Sequence, residues 1–488
     1  MLFFILNYST LRKNVNAFTA KLFSFFFLFP LSSFSRIFLV LIPGLYDIMK
    51  SMNYGRHLHK RLKHSLLSLL VGVLTLGPIS TAFADDLYQQ EDVMKIAADA
   101  GLELDDFYKP KADIVIDANT GAILYGDNID TVRDSGSMAK LMSAYVVFRA
   151  IKEGKITYDT VVTATAADQA ISENNLLSNS PIVAGVDYKV SELIKMLFVP
   201  SSSAAVIMLA NAITDNDPDK FLDLMNQYAQ EMGMTNTKWH NPNGAMISVL
   251  QGYYNPQRYD VNANNEITAR DMSILAYHIV NDLPEMLEYT KQAHTTIMKG
   301  TPYEQSYDNY NTSLEGGKFS LKGTDGLKTG SSPTADYNYT ATTKRGKQRI
   351  IEVILGVGNY DVEIAESYRN QIGNTLAEKM FADYQYKKVL SAGDHTIDGK
   401  TVHLKQDFYA TVKKGTNPAI KLENNRLVVQ NGLQQVSPSI KAGIAVSDSK
   451  ATNSSSNHKR LDVMWLFCFL PAGILYLIFK QTDPKRRK

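Results

Sequence analysis

Hydrophobic and polar positions alternate at both ends of the central part of the chain, and helical periodicity fills the stretch between them. From Asp113 to Gly126, two alternating runs flank Asn119-Thr120-Gly121, which predicts a β-hairpin. Apolar residues then recur at helical spacing. This spacing predicts five helices, over Ser137–Ile151, Val190–Val199, Ala204–Ile213, Asp219–Glu231 and Thr268–Val280.

The alternation returns after Leu321. It predicts strands over Tyr337–Thr343 and Gln348–Val357 around a turn, followed by an amphipathic helix over Val362–Tyr384. Because strands at both ends enclose helices, the pattern favours one α+β domain over residues 85–385. Its antiparallel sheet would join the beginning and the end of that domain.

The composition changes beyond this domain. Short β-rich pieces separated by Gly and Asn turns predict a small all-β domain over residues 386–446. Residues 447–460 are rich in Ser, Asn and Lys and poor in apolar side chains, which is typical of a flexible tether.

The C-terminal part of the chain has the pattern of a membrane anchor. Val463–Phe479 is an uncharged run of 17 residues, about the minimum for a spanning helix, and predicts a transmembrane segment over 461–480. The basic tail, 481–488, is expected in the cytoplasm by the positive-inside tendency, so the α+β domain would lie on the extracellular face of the cell membrane. A buried core helix is the weaker alternative, because no foldable segment follows it.

The N-terminal part predicts export. A basic stretch from Arg56 to His64, an apolar run and Ala82-Phe83-Ala84 have the order of a secretory signal peptide over residues 49–84, with cleavage before Asp85. Residues 1–48 have two interpretations: an over-extended start, with translation from Met49 or Met52, or an additional membrane segment. N-terminal sequencing of the mature protein distinguishes them.

Length, charge and cysteine content limit the kinds of partner and site that this chain can have. A chain of 488 residues is long enough for two or more folded units. Its 51 Lys and Arg against 49 Asp and Glu give a net charge of +2, and the central region has no basic block that could follow a phosphate backbone, so nucleic acid is not expected as a partner. Cys468 is the single cysteine, which excludes an intramolecular disulfide and a cysteine-based metal site.

Ser137 and Lys140 are the first candidates for chemistry. A serine hydroxyl needs a base to become a nucleophile, and a residue three positions further along a helix lies on the same face, so Lys140 could be that base. The spacing alone is weak, since Ser447–Lys450 and Ser456–Lys459 share it. Only Ser137 opens an amphipathic helix, where free N–H groups and the helix dipole favour a developing oxyanion.

Two further polar segments accompany this pair. Lys328-Thr329-Gly330, set before the predicted strand pair, combines a cation, a hydroxyl and a glycine that permits close backbone approach; a polar turn is the equally weighted alternative. Ser201-Ser202-Ser203, between two predicted helices, would by itself be a helix cap.

In this order the three segments resemble those of the penicillin-recognising serine enzymes. Within them the chain is similar to the low-molecular-mass penicillin-binding proteins, the D-alanyl-D-alanine carboxypeptidases of Gram-positive type. The hairpin segment, the stretch from Asn236 to Gly244 and the residues around Lys328 extend the likeness over roughly Asp105 to Tyr384. The resemblance implies a β-lactamase/transpeptidase-like fold followed by the β domain and the C-terminal anchor.

The resemblance also implies the activity: removal of the terminal D-Ala from peptidoglycan stem peptides ending in D-Ala-D-Ala, with a role in wall maturation and cell shape. β-Lactam antibiotics would be inhibitors, and no metal or cofactor is required. The roles carried over are Ser137 as nucleophile, Lys140 as its base and Ser201 as a proton relay. Substrate contacts are implied for Lys328, Thr329, Gly330, Ser331 and Ser203, with the backbone N–H groups of Ser137 and Ser331 forming the oxyanion hole.

One position departs from the family pattern. The middle motif is Ser-x-Asn in the family, and Ser203 stands here in the place of the asparagine. A hydroxyl is shorter than an amide and has one donor fewer, so the rate or the substrate preference is expected to change. A β-lactamase and a non-catalytic wall-binding homologue are the alternative functions, and transpeptidation by the same acyl-enzyme stays open.

Overall fold

The computed structural model describes residues 91–448. The upstream segment, the signal peptide, almost all of the tether, the anchor and the basic tail predicted above lie outside this range. Among the residues described, no helix combines the length and the apolar character needed to cross a bilayer.

A five-stranded antiparallel sheet forms the centre of the larger unit. Its strand order is β2-β1-β9-β8-β7, so strands from the beginning and the end of this unit are neighbours, and β7 lies at an edge. The strands of the described range, in chain order, are β1 Ala112–Asp117, β2 Ile123–Asp127, β3 Val161–Thr163, β4 Asp187–Lys189, β5 His294–Ile297, β6 Gln305–Asp308, β7 Thr324–Ser332, β8 Asp336–Arg345, β9 Gln348–Val357, β10 Tyr384–Leu390, β11 Gly393–Ile397, β12 Lys400–Leu404, β13 Phe408–Lys413, β14 Ile420–Glu423, β15 Arg426–Val429, β16 Ile444–Ala445 and β17 Ser447–Asp448.

Helices lie on both faces of this sheet. Short 3-10 turns occur at Asp106–Tyr108, Gly136–Met138, Ile247–Leu250 and Pro284–Met286. The α-helices of the described range are α1 Val93–Asp99, α2 Ala139–Lys152, α3 Ala166–Ser172, α4 Val190–Phe198, α5 Ser203–Thr214, α6 Pro218–Met232, α7 Ala269–Asp282, α8 Leu287–Thr290 and α9 Ile364–Asp383.

Local sequence fixes where several of these helices begin. The hydroxyl of Ser202 accepts from the N–H of Ala205 at the start of α5, and Thr268 caps α7 in the same way. Helix α6 follows the cap Asp217 and has Pro218 at its first position, where the missing N–H costs nothing. These caps explain why the periodic segments start where they do.

The main core lies between the inner face of the sheet and the helices α2, α4, α5, α6 and α7. Helix α2 lies in the middle and is buried on nearly every side from Ala139 to Phe148. Such close packing leaves little freedom for a helix to shift. The residues at its N-terminus are therefore held in place by the whole core.

A second core covers the outer face of the sheet, where α9 and α1 pack. Two charged side chains are buried there, Glu352 on β9 and Arg369 on α9. Burial without a close counter-charge raises the pKa of Glu352 to about 8.

The smaller unit is all-β, with strands β10 to β17 in small antiparallel sheets around a compact apolar core. The segment between β15 and β16 contacts the larger unit: the Val436 N–H donates to the Gly121 carbonyl, and the Ile123 N–H donates to the Gln434 carbonyl. Gly121 and Ile123 belong to the β1–β2 hairpin and its edge strand, so the two units share backbone hydrogen bonds.

The α+β class, the hairpin, the five helices and the closing helix are confirmed, with ends within a few residues of the prediction. Lys328-Thr329-Gly330 precedes the predicted strand pair, as expected, and lies inside a further strand, β7, which rules out the alternative of a polar turn. The polar, glycine-containing sequence of β7 does not show the alternation of a half-buried strand, because this strand is buried over most of its length. The short strands β3 to β6 and the helices α1 and α3 were not predicted.

Candidate active site

Ser137 lies in the 3-10 turn Gly136–Met138 that leads directly into α2. Its side chain is half-buried, whereas the neighbours Gly136 and Met138 are buried. The turn therefore presents the hydroxyl to the surface while the backbone around it is fixed by the core.

Lys140 points its amine at this hydroxyl. The Nζ atom donates to Ser137 Oγ at 3.0 Å and to the Asn243 carbonyl at 2.7 Å. Only 1% of Lys140 is exposed, and burial, followed by the positive charge of Lys328, holds the pKa of its amine well below the ordinary lysine value. A neutral amine in hydrogen-bond contact with a hydroxyl can act as its base.

Lys328 is the second buried lysine of the site, on the edge strand β7. Burial lowers the pKa of its amine to about 7, with a further contribution from the cation of Arg369. Its Nζ donates to the Thr329 carbonyl at 3.1 Å. Two buried amines that repel each other favour a state with one shared positive charge rather than two.

Strand β7 runs directly along the serine turn. A Cβ atom added at Gly330 would lie 2.6 Å from the Ser135 carbonyl oxygen and 3.0 Å from the Ser137 nitrogen. A Cβ added at Gly136 would lie 2.9 Å from the Ser331 nitrogen. Only glycine permits this approach, which brings the backbone N–H groups of Ser137 and Ser331 to the same place.

The loop that follows Trp239 supports the same turn from another side. Asn265 donates to Ser135 Oγ at 3.2 Å and to Asn241 Oδ1 at 2.9 Å, and Asn241 Oδ1 also accepts from the Gly244 N–H at 2.7 Å. These bonds orient the turn that carries the Asn243 carbonyl. A Cβ at Gly244 would lie 2.0 Å from the Gly136 oxygen, so the two turns are in direct backbone contact.

The serine triplet lies at the start of α5. Ser201 is 2% exposed, has a left-handed backbone with φ 58°, and its Oγ has no hydrogen-bond partner among the described residues. Such a conformation at a non-glycine residue costs energy and often marks a functional site. Ser202 caps α5, and the Ser203 N–H donates to the Ser178 carbonyl at 2.9 Å.

Arg369 is a residue of this site that the sequence did not indicate. Its guanidinium is fully buried on α9 and donates to the Gly330 carbonyl at 3.3 Å, to Ser331 Oγ at 3.1 Å and to Glu366 at 2.8 Å. A sequence could reveal Arg369 only as an arginine on the apolar face of an amphipathic helix. Periodicity alone does not distinguish such a buried arginine from one on the surface. The Asn243 carbonyl was equally hidden, because a backbone acceptor has no sequence signature.

A serine hydroxyl in contact with a buried lysine amine, at the start of a core helix and beside the edge strand of an antiparallel sheet, is an arrangement typical of serine enzymes. The comparison with known proteins assigns the family. A family model described as D-alanyl-D-alanine carboxypeptidase matches residues 104–359, and the chain belongs to this family.

Individual relatives agree with this assignment. The chain is 29% identical, over 320 residues, to the D-alanyl-D-alanine carboxypeptidase DacA of Haemophilus influenzae; the match covers 63% of this chain and 73% of DacA. Penicillin binding protein 5 of the same organism is similar in structure, with a TM-score of 0.55, 25% identity, and coverage of 70% of this chain and 96% of that one.

A further structure shares the fold. The peptidoglycan synthesis regulatory factor (PBP3) of Streptococcus pneumoniae superposes with a TM-score of 0.60 at 24% identity, covering 70% of this chain and 99% of that one. The all-β unit matches a second family over residues 386–447, which is described only as a domain of unknown function.

Proposed function

We propose that this protein removes the terminal D-Ala from peptidoglycan stem peptides that end in D-Ala-D-Ala, through an acyl-enzyme on Ser137. One observation carries the assignment of the nucleophile: Lys140 Nζ lies 3.0 Å from Ser137 Oγ in a buried site that holds the pKa of its amine well below the ordinary lysine value. Membership of the carboxypeptidase family supports the substrate class.

The acylation step follows from this geometry. Ser137 Oγ attacks the carbonyl carbon of the penultimate D-Ala, and its proton passes to the neutral amine of Lys140. The negative oxygen that forms is stabilised by the backbone N–H groups of Ser137 and Ser331, which lie together because of Gly330 and Gly136. When the C–N bond breaks, the leaving D-Ala nitrogen takes up the proton, with Ser201 as the relay.

Deacylation reverses the proton path. A water molecule attacks the ester carbon and gives a proton to Lys140, which returns it to Ser137 Oγ as the C–O bond breaks. Lys328 and Thr329 are assigned to the terminal carboxylate of the substrate. A charged Lys328 beside Lys140 also keeps the Lys140 amine neutral.

Labelling with a fluorescent penicillin tests the nucleophile, because a β-lactam carries an acyl group of the same shape and would stay on the serine longer. We expect label on the wild type and none on Ser137→Ala. Ser456→Ala is the matched control, because Ser456 and Lys459 have the same spacing. Label that persists on Ser137→Ala, or a wild type without label, refutes the proposed nucleophile.

Release of D-Ala from a synthetic pentapeptide tests the reaction itself. Release by the wild type and its loss in Ser137→Ala are expected, and a wild type that binds the peptide without releasing D-Ala would instead be a wall-binding homologue. Rapid turnover of a chromogenic cephalosporin would instead indicate a β-lactamase.

We also propose that the enzyme works outside the cell, held to the membrane by the apolar segment 461–480. The order of segments supports this: catalytic unit over 85–385, β domain over 386–446, tether over 447–460 and anchor. A chain that ends at residue 460 should leave the membrane fraction and keep its activity on a soluble pentapeptide. Retention of the shortened chain in washed membranes contradicts the proposal.

A further inference from the structure

A cleft lies between the catalytic unit and the β domain, separate from the residues around Ser137. We call it the interdomain cleft. Its main cavity has a volume of about 610 Å³, within the range of sites that hold small ligands. Among the side chains lining it are Asn119, Lys347, Tyr386, Tyr409, Thr411 and Gln435.

Two tyrosines provide its apolar surface. The rings of Tyr386, on β10, and Tyr409, on β13, lie 5.6 Å apart with a tilt of 31°. Neither ring is fully buried. Tyrosine combines a flat apolar face with a polar tip and loses little conformational freedom on binding, which makes it a common contact for ring-shaped polar ligands.

Lys347 fixes one of these rings from the catalytic side. Its Nζ lies 4.1 Å from the centre of the Tyr409 ring and 2.7 Å from its hydroxyl oxygen. Lys347 belongs to the tight turn between β8 and β9. The aromatic wall of the cleft is therefore positioned before any ligand arrives, which lowers the entropy cost of binding.

A buried polar atom in the same cleft has no hydrogen-bond partner within residues 91–448: the amide oxygen Oε1 of Gln435. Thr411 also lines the cavity, and its hydroxyl, in a side chain only 1% exposed, bonds the buried carboxyl of Asp117. Because a buried acceptor without a donor is unfavourable, a ligand that donates to Gln435 would bind favourably.

The charge of the cleft excludes a strongly cationic ligand. Lys347 and Lys441 line the main cavity, and Lys344 lines a neighbouring one that shares Asn119, Tyr386 and Tyr409. The acidic side chain of the lining, Asp407, is already paired with Lys388 at 3.2 Å. Hydroxyls and amides of a neutral or weakly anionic ligand fit these surroundings.

We propose that the interdomain cleft binds the glycan strand of peptidoglycan, through its N-acetylated amino sugars. Sugar rings offer an apolar face to Tyr386 and Tyr409, and their hydroxyl and acetamido groups can donate to the amide oxygen of Gln435. The choice of this glycan rests on the proposed function, since the stem peptides of the substrate hang from that strand. The cleft would hold the wall polymer while Ser137 acts on its peptides.

Titration calorimetry of the full-length chain with a tetramer of β-1,4-linked N-acetylglucosamine tests the site. We expect saturable binding that Tyr409→Ala and Gln435→Leu each weaken by about tenfold, the equivalent of one good contact. Tyr253→Ala, at a tyrosine 48% exposed and outside the cleft, is the matched control and should bind like the wild type. Circular dichroism shows whether each variant is folded; if Tyr409→Ala is not, Gln435→Leu decides.

Two results overturn the glycan site. One is the absence of saturable binding by the wild type, and the other is equal binding by the wild type, the cleft variants and Tyr253→Ala. Binding of polyglycerol phosphate that salt abolishes, without binding of the sugar tetramer, shows a charged surface and also contradicts the proposal. D-Ala release from a soluble pentapeptide is measured in parallel: its loss refutes the proposed reaction, whereas loss of tetramer binding alone refutes only the cleft.

Discussion

The protonation states of two buried lysines determine the acid–base chemistry of this site. Lys140 and Lys328 are each about 1% exposed, and neither has a carboxylate in hydrogen-bond contact. Burial lowers the pKa of each amine, the charge of Lys328 lowers the pKa of Lys140 further, and the charge of Arg369 does the same for Lys328. The proposed reaction needs Lys140 neutral and Lys328 charged, so the rate should rise and then fall with pH.

The alkaline fall in kcat/KM belongs to Lys328, whose pKa is lowered to about 7 by burial and by the Arg369 cation. Arg369→Gln removes that cation while keeping donors for the Gly330 carbonyl, so the pKa of Lys328 should rise and the alkaline limb should move up by roughly one pH unit. The pH profile of kcat/KM measures this. Arg345→Gln, which loses an ion pair with Glu378 and a cation–π contact with Phe381, is the control; equal profiles for both variants would contradict the assignment.

Ser203 determines a second prediction at this scale. Ser203→Asn introduces an amide that can accept from the site lysine and donate to the substrate, so kcat/KM for D-Ala release should increase, by roughly two- to tenfold for one added hydrogen bond. Ser203→Ala is the matched control and should not exceed the wild-type rate. A slower Ser203→Asn enzyme would show that the site has adapted to the smaller side chain.

From the residues alone, a contact between two functional side chains was predictable only where their spacing along one helix brings them together. Ser137 and Lys140 are three positions apart on one helix, so their contact follows from local geometry. Lys328 and Arg369 reach the site through the tertiary fold. The partner of Lys140 on the opposite side is the backbone of Asn243, which any residue type could provide.

At the scale of elements, the contact between β7 and the serine turn holds the site together. Gly330→Ala would place a Cβ 2.6 Å from the Ser135 oxygen and push the strand away from Ser137. A displacement of this order should lower kcat/KM by about 100-fold while the fold remains. Gly126→Ala is the control. Gly126 lies on β2, at the opposite edge of the sheet, and its added Cβ would lie 2.6 Å from the Ile129 side chain, so this variant should keep its activity. Equal losses in both variants would indicate general destabilisation.

The buried carboxyl of Glu352, on β9, makes the free energy of unfolding depend on pH. The pKa of Glu352 is raised to about 8, so between the unfolded value near 4.5 and about 8 the folded state holds a proton that the unfolded state has lost. The free energy of unfolding should therefore fall as pH rises through this window, by up to about 1.4 kcal/mol per pH unit.

Denaturant unfolding of Glu352→Gln between pH 5 and pH 8 checks this, since a neutral amide should flatten the slope. Glu378→Gln is the control: Arg345 lowers the pKa of Glu378, so its contribution is already complete above pH 5 and the slope should not change. Parallel slopes for the wild type and Glu352→Gln would refute the assignment.

For the whole molecule, hydrophobic periodicity was sufficient for the α+β class and the order of its main elements. It missed strands of three residues such as β3 and β4, which are too short to show a period, and it gave no bounds for β7, the strand that carries the lysine triplet. It could not indicate that segment 432–440 returns to the catalytic unit, because the hydrogen bonds to the hairpin are made by backbone groups and only two apolar side chains, Val436 and Ile440, enter the main core.

That returning segment allows a test of how the two units support each other. Gly121 has φ 71°, its carbonyl accepts from the Val436 N–H, and an added Cβ would lie 2.6 Å from the Ile440 side chain. Gly121→Ala should therefore weaken the contact by roughly 1–3 kcal/mol. Because the β domain is small, its calorimetric transition should fall by about 4–8 °C or more, while the transition of the catalytic unit should fall only as much as in a control variant with the same backbone strain.

Gly154→Ala provides the control, since Gly154 has nearly the same φ of 73° with no atom within 4 Å of the added Cβ. It carries the same backbone strain but no interdomain clash, so only the catalytic transition should move. D-Ala release from a soluble pentapeptide should be equal in both variants, because neither glycine contacts the residues around Ser137. If Gly121→Ala shifts both transitions together, the two units unfold as one, and the hairpin contact is part of a single cooperative structure.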